Sequence, residues 1–112
     1  MDGCVLAHEG GAVVGALLWN QHFPGSAEVH LMAVDAARHR RGIGTALLDR
    51  AEQELRAEGV RYLQVKTLGP SRQDEEYERT RRFYAARDFV ALEELLDVWP
   101  EDNPMLILVK AL

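Results

Sequence analysis

The stretch AEVHLMAVDAARHRRGIGTALLDRAEQEL, from Ala27 to Leu55, decides how this chain folds. Its first part predicts a strand over Ala27–Val34, and its last part predicts a helix that begins near Thr45. The link Arg38–Gly44 is rich in arginine and glycine. A helix N-terminus exposes unpaired backbone N–H groups, and glycines let that backbone approach an anion. The stretch therefore predicts a site for a phosphate or pyrophosphate, or else a tight strand-to-helix turn with solvated arginines.

Two apolar segments precede this stretch and predict strands of the same sheet. They cover Val5–His8 and Ala12–Asn20, with the turn signal Glu9-Gly10-Gly11 between them. Pro24-Gly25 forms a second turn before the strand at Ala27–Val34. Short strands joined by such turns are typical of an antiparallel meander.

The segment after the glycine loop has helical periodicity. Apolar residues recur on one face at Ile43, Ala46, Leu47, Ala51 and Leu55. Gly59 stands where a left-handed C-terminal cap belongs, and Val60–Leu68 alternates as a strand does. Strand, helix and strand in succession predict a right-handed crossover between two parallel strands.

The rest of the chain predicts one more helix and two more strands. Gly69–Asp74 is a polar loop, and Glu75–Arg87 is a helix with acidic residues first and basic residues last. Phe89–Leu92 and Met105–Val109 are the final strands. The predicted fold is α+β, with the order β-β-β-α-β-α-β-β in a single domain over residues 1–112.

Composition limits the class of protein. The net charge of −5 argues against nucleic acid as the main partner, because such binding needs phosphate neutralisation. Cys4 is the single cysteine, which excludes an internal disulfide and indicates a reducing compartment. The four histidines have no metal-ligand spacing, so we expect no metal. Without a signal peptide or a long apolar run, the expected protein is soluble and cytoplasmic, with no membrane partner.

At the glycine loop the chain resembles the GNAT superfamily of acetyl-CoA-dependent N-acetyltransferases. The family's loop pattern is Arg or Gln, two residues, Gly, one residue, then Gly or Ala. It falls on His39–Gly44, with His39 in the place of Arg or Gln, and the longer string VDAARHRRGIGTALL is similar too. The resemblance implies a mostly antiparallel sheet with a splayed parallel pair, and acetyl-CoA as co-substrate.

The resemblance also implies which residues hold the co-substrate. The pyrophosphate contacts are implied for the loop, and contacts to the pantetheine arm for backbone groups of the preceding strand. The Met32 N–H is the group implied for the acetyl oxygen. The implied residues are Met32, Ala33, Val34, His39, Arg40, Arg41, Gly42, Ile43, Gly44 and Thr45.

The similarity runs from the family's second strand to its last. The usual first strand and the two helices after it, which normally wall the acceptor site, have no counterpart in this sequence. We expect one of three situations: an open site, a wall supplied by a second subunit in a homodimer, or a chain start set too late.

Two residues are candidates for proton transfer. TRRFYAARDF, Thr80–Phe89, resembles the family's second motif and places Tyr84 at the position of the acid that protonates the departing sulfur. A half-buried tyrosine on an amphipathic helix is the alternative. Asp88 replaces the usual glycine before Phe89, so we expect a differently capped helix end. Glu28 is the candidate base, or else a solvated strand residue, and His30 is expected on the same face.

The acceptor is predicted only as a class, a small-molecule or peptide amine. Five residues are candidates for lining its pocket: Thr67, Tyr77, Thr80, Arg81 and Trp99. The implied activity is direct transfer of acetyl from acetyl-CoA to a primary amine. Two alternatives stay open, namely a CoA- or acyl-CoA-binding module without transferase activity and a structural partner that pairs through a strand edge.

Overall fold

The structure is a computed structural model that describes residues 2–39 and 41–112. Within those residues, six strands and two α-helices follow the predicted order. The strands are β1 (Gly3–Glu9), β2 (Ala12–Phe23), β3 (Ser26–Val34), β4 (Tyr62–Leu68), β5 (Val90–Leu95) and β6 (Met105–Ala111). The helices are α1 (Ile43–Ala57) and α2 (Glu75–Ala85), and a 3-10 turn at Ala36–Arg38 precedes α1.

The six strands form one sheet in the order β1-β2-β3-β4-β6-β5, mostly antiparallel with one parallel pair. The predicted α+β fold class is confirmed. Contacts divide the chain into two compact units, residues 1–63 with Leu112 and Gln64–Ala111. The single domain over residues 1–112 stays a prediction.

In the first unit, β1, β2 and β3 form the predicted antiparallel meander. Gly10 and Gly11 close the first hairpin with φ of 58° and 85°, a region that favours glycine. β2 ends at Phe23 and not at the predicted Asn20, because its pairing with β3 continues to Phe23 opposite Ser26. The hairpin is therefore longer than the apolar pattern alone indicates.

β3 contains a β-bulge at His30. Leu18 pairs with Leu31 and Trp19 pairs with Val29, so His30 is an extra residue on β3. Val29 and Leu31 would share a face in a regular strand, yet Val29 is 6% exposed and Leu31 is 50% exposed. Residue spacing along β3 therefore does not predict a shared face across His30.

α1 buries its apolar face, as the periodicity predicts. Its buried apolar residues are Leu47, Leu48, Ala51 and Leu55. Ala46, which the sequence places on this face, is exposed. α1 comes close to β2 at Gly15, where a Cβ would lie 3.1 Å from side-chain atoms of both Ile43 and Leu47. Glycine at this position permits the helix to approach the strand.

The end of α1 is the left-handed cap that the sequence predicts. Gly59 has φ of 85°. Its N–H donates to the Arg56 carbonyl at 3.0 Å, and the Val60 N–H donates to the Leu55 carbonyl at 2.9 Å. These two bonds satisfy carbonyls that the helix would otherwise leave without a partner.

In the second unit, α2 is capped at its start by Asp74. The Asp74 carboxylate accepts the Tyr77 N–H at 3.1 Å, the standard N-cap interaction. α2 ends at Ala85, two residues before the predicted Arg87, because the chain turns into its C-terminal cap there.

The expectation of a different cap at Asp88 is wrong. Asp88 has φ of 72°, the left-handed conformation that glycine usually adopts there. Its N–H donates to the Ala85 carbonyl and the Phe89 N–H donates to the Tyr84 carbonyl, both at 3.1 Å. The two C-terminal hydrogen bonds of this cap form in spite of the side chain, because Asp is among the residues that tolerate this region.

Candidate functional site

The N-terminus of α1 lies next to open space. Gly42 precedes the helix with φ of 78°, and no side chain caps the helix there. Its carbonyl accepts the Ala46 N–H at 3.0 Å, which closes the first helical turn. A Cβ at Gly42 would meet no atom within 4 Å. Gly42 is therefore exposed, and the backbone N–H groups of Ile43 and Gly44 stand at the positive end of the helix dipole, which favours negative charge.

The arginines of this loop meet carboxylates. Arg38 Nε donates to Glu9 Oε2 at 3.0 Å, and its NH1 donates to Asp35 Oδ2 at 2.6 Å. The hydrogen bond with Glu9 is the main cause that raises the pKa of Arg38. Arg41 NH1 lies 3.7 Å from the same Glu9 oxygen, and its side chain is 60% exposed. Predicted Arg40 lies outside the described residues.

Glu9 was missed by sequence reasoning. It ends β1, far along the chain from Arg38 and Arg41, and no local pattern connects them. The only available signal is its place beside the Gly10-Gly11 turn, which shows where the hairpin ends but not what lies opposite. Glu9 offsets part of the positive charge that the loop composition predicts.

His39 contacts the end of β3. Its Nε2 lies 3.0 Å from the Val34 carbonyl oxygen, within hydrogen-bond distance. Asp35, which follows Val34, donates its N–H to the Val14 carbonyl at 2.8 Å. The Asp35 side-chain oxygen Oδ1 accepts the Ala37 N–H at 3.0 Å. These bonds hold the turn from β3 into the loop. A carbonyl oxygen has two lone pairs, so Val34 keeps acceptor capacity for a ligand.

The second half of β3 is the part that the resemblance assigns to the pantetheine arm. Met32 and Val34 are half-buried there, and Ala33 is exposed. Leu17, Ala16 and Gly15 of β2 pair with Met32, Ala33 and Val34 in that order. This pairing fixes the backbone of the three residues on one side.

Glu28 on β3 is paired with a histidine. Glu28 Oε1 lies 2.8 Å from His22 Nε2, and the two side chains are 15% and 44% exposed. His22 lies two residues after Asn20, which pairs with Glu28, so His22 and Glu28 share a face of the sheet. Sequence reasoning missed this partner because it ended the strand at Asn20, two residues before His22. The bulge at His30 also removes the spacing argument that placed His30 on the face of Glu28.

Tyr84 lies in the second unit and is almost fully buried, at 4% exposed. Its ring makes edge contacts with Phe83 and Phe89, each with centroids 5.2 Å apart. Burial raises the pKa of Tyr84 to about 12. Among the described residues no buried side-chain oxygen or nitrogen lacks a partner, so the Tyr84 hydroxyl is not a stranded polar atom. A phenol in this setting stays protonated at neutral pH.

One pocket in the second unit has a volume of about 390 Å³. Three of the predicted acceptor residues line it, namely Thr67, Tyr77 and Trp99. Arg81, also predicted, donates to the Leu68 carbonyl at 2.7 Å, and Thr80 donates to the Glu76 carbonyl at 3.1 Å. Neither Arg81 nor Thr80 lines the pocket.

Over residues 2–39 and 41–112, no group of three His, Cys, Asp or Glu side chains is placed to hold a metal ion. The thiol of Cys4 is free and the residue is exposed. Of the helices in that part, none has both the length and the apolar character needed to cross a bilayer.

The predicted site residues fall into two groups. The loop, the second half of β3 and Glu28 belong to the first unit, whereas Tyr84 and the pocket belong to the second. Each group offers one kind of chemistry. The first has a helix N-terminus behind a left-handed glycine and a paired carboxylate, and the second has a protonated phenol and a polar pocket.

Comparison with known proteins identifies the protein family of this chain. Residues 2–91 match the family model for the acetyltransferase (GNAT) domain. The solved structure of a GNAT-family protein from Desulfovibrio desulfuricans has 26% sequence identity to this chain and a TM-score of 0.88. The match covers 98% of this chain and 68% of that protein's chain. The solved structure of an aminoglycoside 6'-N-acetyltransferase complexed with coenzyme A has 21% sequence identity to this chain and a TM-score of 0.83. The match covers 98% of this chain and 72% of that chain.

A third solved structure, from Bacillus anthracis str. Ames in complex with acetyl coenzyme A, is 15% identical with a TM-score of 0.85. The match covers 97% of this chain and 61% of that one. This chain thus spans about two thirds of the length of these solved structures. No curated protein sequence matches it.

Proposed function

Because this chain belongs to the acetyltransferase (GNAT) family, we propose that it transfers an acetyl group from acetyl-CoA to a primary amine. The transfer is a direct attack within a ternary complex. The acceptor is a small molecule or a peptide. Solved structures of the same fold that contain coenzyme A or acetyl coenzyme A support the choice of co-substrate.

The observation that carries this proposal is the open N-terminus of α1. Gly42 takes a left-handed conformation with free space beside it, and the helix that follows has no side-chain cap. A pyrophosphate suits such a position, since the helix dipole and the first N–H groups favour negative charge. Arg41, largely exposed, adds a whole positive charge at the same loop. These residues fit the phosphate end of acetyl-CoA.

The backbone of β3 then orients the thioester. In this proposal Met32, Ala33 and Val34 bond the pantetheine arm as an added strand would. The Met32 N–H donates to the carbonyl oxygen of the acetyl group and stabilises the negative charge that develops there. Such a donor accelerates the reaction because its position is set before the amine attacks.

Proton transfer completes the proposed reaction. The amine nitrogen forms a bond to the acetyl carbon, the carbon–sulfur bond breaks, and Tyr84 gives its proton to the departing thiolate. The phenol holds a proton at neutral pH and can donate it, and its raised pKa makes it a weaker acid than an ordinary tyrosine. Glu28, paired with His22, is the proposed acceptor of the ammonium proton, directly or through water.

The test is acetyl-CoA-dependent thiol release with a panel of primary amines. We expect at least one amine to give release above hydrolysis, and Tyr84→Phe to lower kcat by about 100-fold with little change in acetyl-CoA affinity. Tyr62→Phe, at a half-exposed tyrosine, is the matched control. Saturable acetyl-CoA binding without release from any amine would favour the CoA-binding module instead.

A further inference from the structure

We infer that the pocket of the second unit binds an acceptor amine that also carries a carboxylate and a flat aromatic body, as an aromatic amino acid does. This inference rests on the proposed function, because it names the acceptor class. It is drawn from the chemistry of the pocket's lining. The volume of about 390 Å³ lies in the range of small-molecule sites.

A guanidinium is held at the wall of this pocket. Arg72, in the loop after β4, donates through NH1 to the Asn103 side-chain carbonyl, and both residues line the pocket. Asn103 is the only side-chain hydrogen-bond partner of Arg72 among the described residues. A guanidinium has five N–H donors in a fixed fork, so donors remain that match a carboxylate.

The other charges of the lining leave the pocket positive. Lys66 contributes a second cation, and Asp74 contributes the single carboxylate. That carboxylate is already used, because Asp74 caps α2 by accepting the Tyr77 N–H at 3.1 Å. It also lies at the positive end of the α2 dipole, which offsets its charge. The lining therefore favours an anionic group on the ligand.

Aromatic side chains supply the remaining wall. Tyr77 is 42% exposed and Trp99 is half-buried, and both line the pocket. Their partial exposure leaves ring surface that a planar ligand can cover, and offset or edge contacts between rings are favourable. An aromatic acceptor thus buries surface that the free protein leaves in water.

Carboxylates also adjoin two of the lining residues in the sequence. Exposed Glu75 and Glu76 follow Asp74, and exposed Glu101 and Asp102 precede Asn103. Exposed carboxylates of this kind attract an ammonium group and repel a simple anion. A ligand with both an amine and a carboxylate satisfies both sets of charges, whereas an amine alone leaves Arg72 without an anionic partner.

The experiment compares tryptophan with tryptamine, which has the same ring and amine but no carboxylate. Calorimetry would measure both ligands on the wild-type protein, on Arg72→Gln and on Arg50→Gln, with and without saturating coenzyme A. Arg50 is the matched control, since its side chain is 64% exposed, pairs with Glu54 and does not line the pocket.

We expect tryptophan to bind at least about tenfold more tightly than tryptamine, because a charge-assisted pair is worth that much. The ratio of the tryptamine Kd to the tryptophan Kd should fall to near one in Arg72→Gln and stay at the wild-type value in Arg50→Gln. Tighter or equal binding of tryptamine, an unchanged ratio in Arg72→Gln, or no binding of either ligand would overturn the inference.

A titration of acetyl-CoA into the same wild-type protein separates this inference from the proposed function. Acetyl-CoA binding together with equal affinity for tryptophan and tryptamine would refute the acceptor class alone. Preferential tryptophan binding without any acetyl-CoA binding would refute the transferase proposal alone and leave the pocket as an amino acid site.

Discussion

At the scale of single residues, left-handed backbone conformations occur at both ends of α1 and at the C-terminal end of α2. Gly42 and Gly59 begin and end α1 with φ of 78° and 85°, and Asp88 ends α2 with φ of 72°. Glycine adopts this region without steric cost, whereas an L-residue with a Cβ pays about 1 kcal/mol. The position of Asp88 is therefore a local source of instability.

Replacing Asp88 by glycine should stabilise the protein. We expect Asp88→Gly to raise the free energy of unfolding by about 0.5–1 kcal/mol, since the cap bonds stay and the strain is removed. Urea unfolding followed by circular dichroism measures it. Asp49→Gly, at an exposed position inside α1, should instead destabilise by several tenths of a kcal/mol. Equal effects of the two substitutions would contradict the strain at Asp88.

The buried phenol of Tyr84 makes a prediction for alkaline pH. Its pKa is about 12 in the folded protein, whereas a tyrosine in an unfolded chain ionises near pH ~10. Between these values the unfolded state releases a proton that the folded state keeps, so the free energy of unfolding falls as pH rises. Below pH ~10 both states are protonated, and the group causes no pH dependence.

The free energy of unfolding should therefore fall less at alkaline pH in Tyr84→Phe than in wild type, by up to about 2 kcal/mol. Chemical unfolding at pH 8 and at pH 11.5 measures the difference, with Tyr62→Phe as the half-exposed control. The idea fails if wild type, Tyr84→Phe and Tyr62→Phe lose the same stability over that interval.

At the scale of elements, the helices and most strands could be predicted, and the irregularities could not. The apolar period predicts α1 and its Gly59 cap, because both depend on residues close together in sequence. The bulge at His30 depends on how β3 pairs with β2, so the local sequence pattern does not predict it. The pairing of His22 with Glu28 was missed because the apolar pattern ends at Asn20, whereas β2 continues to Phe23.

The local parts of the candidate site could also be predicted from the sequence, and its long-range contacts could not. The glycine loop and the start of α1 are local features, and the sequence places them within two residues. Contacts across the fold, such as Glu9 with Arg38 or Arg72 with Asn103, join residues about 30 positions apart. A single sequence does not encode such pairs in any readable pattern.

The loop between β4 and α2 is tied to β5 by one carboxylate. Ser71 donates its hydroxyl to Glu94 Oε1 at 2.5 Å and its N–H to Oε2 at 2.9 Å. These bonds, the hydroxyl first, lower the pKa of Glu94. A Cβ at Gly69 would overlap the same carboxylate, so a larger residue there would displace the Glu94 side chain.

Ser71→Ala should raise the pKa of Glu94 toward its ordinary value, because the larger cause of the shift is removed. NMR titration of the Glu94 carboxyl carbon measures this pKa, and Ser26→Ala serves as the control. Since the native pKa is lowered, the stability that this contact supplies is present above the ordinary carboxyl pKa and is lost as pH falls. An unchanged Glu94 pKa in Ser71→Ala would show that the hydroxyl contributes nothing.

At the scale of the whole molecule, an acidic chain carries a locally basic loop. The net charge is −5, yet Arg38 and Arg41 gather at the loop before α1. Glu9 offsets part of their charge, so the open helix N-terminus at Gly42 carries much of the proposed attraction for a pyrophosphate. The proposed pyrophosphate binding therefore depends on Gly42 more than on Arg38 or Arg41.

The most direct measurement is a calorimetric titration of acetyl-CoA into wild type, Gly42→Glu and Gly59→Glu. The two glycines are matched, since both have positive φ and open space where a Cβ would lie. Both substitutions therefore add similar strain, but only Gly42→Glu places a negative charge at the proposed phosphate site. We predict saturable binding to wild type and Gly59→Glu, and affinity at least about tenfold weaker in Gly42→Glu. Undetectable binding to wild type, or equal affinity in Gly42→Glu, would contradict the account.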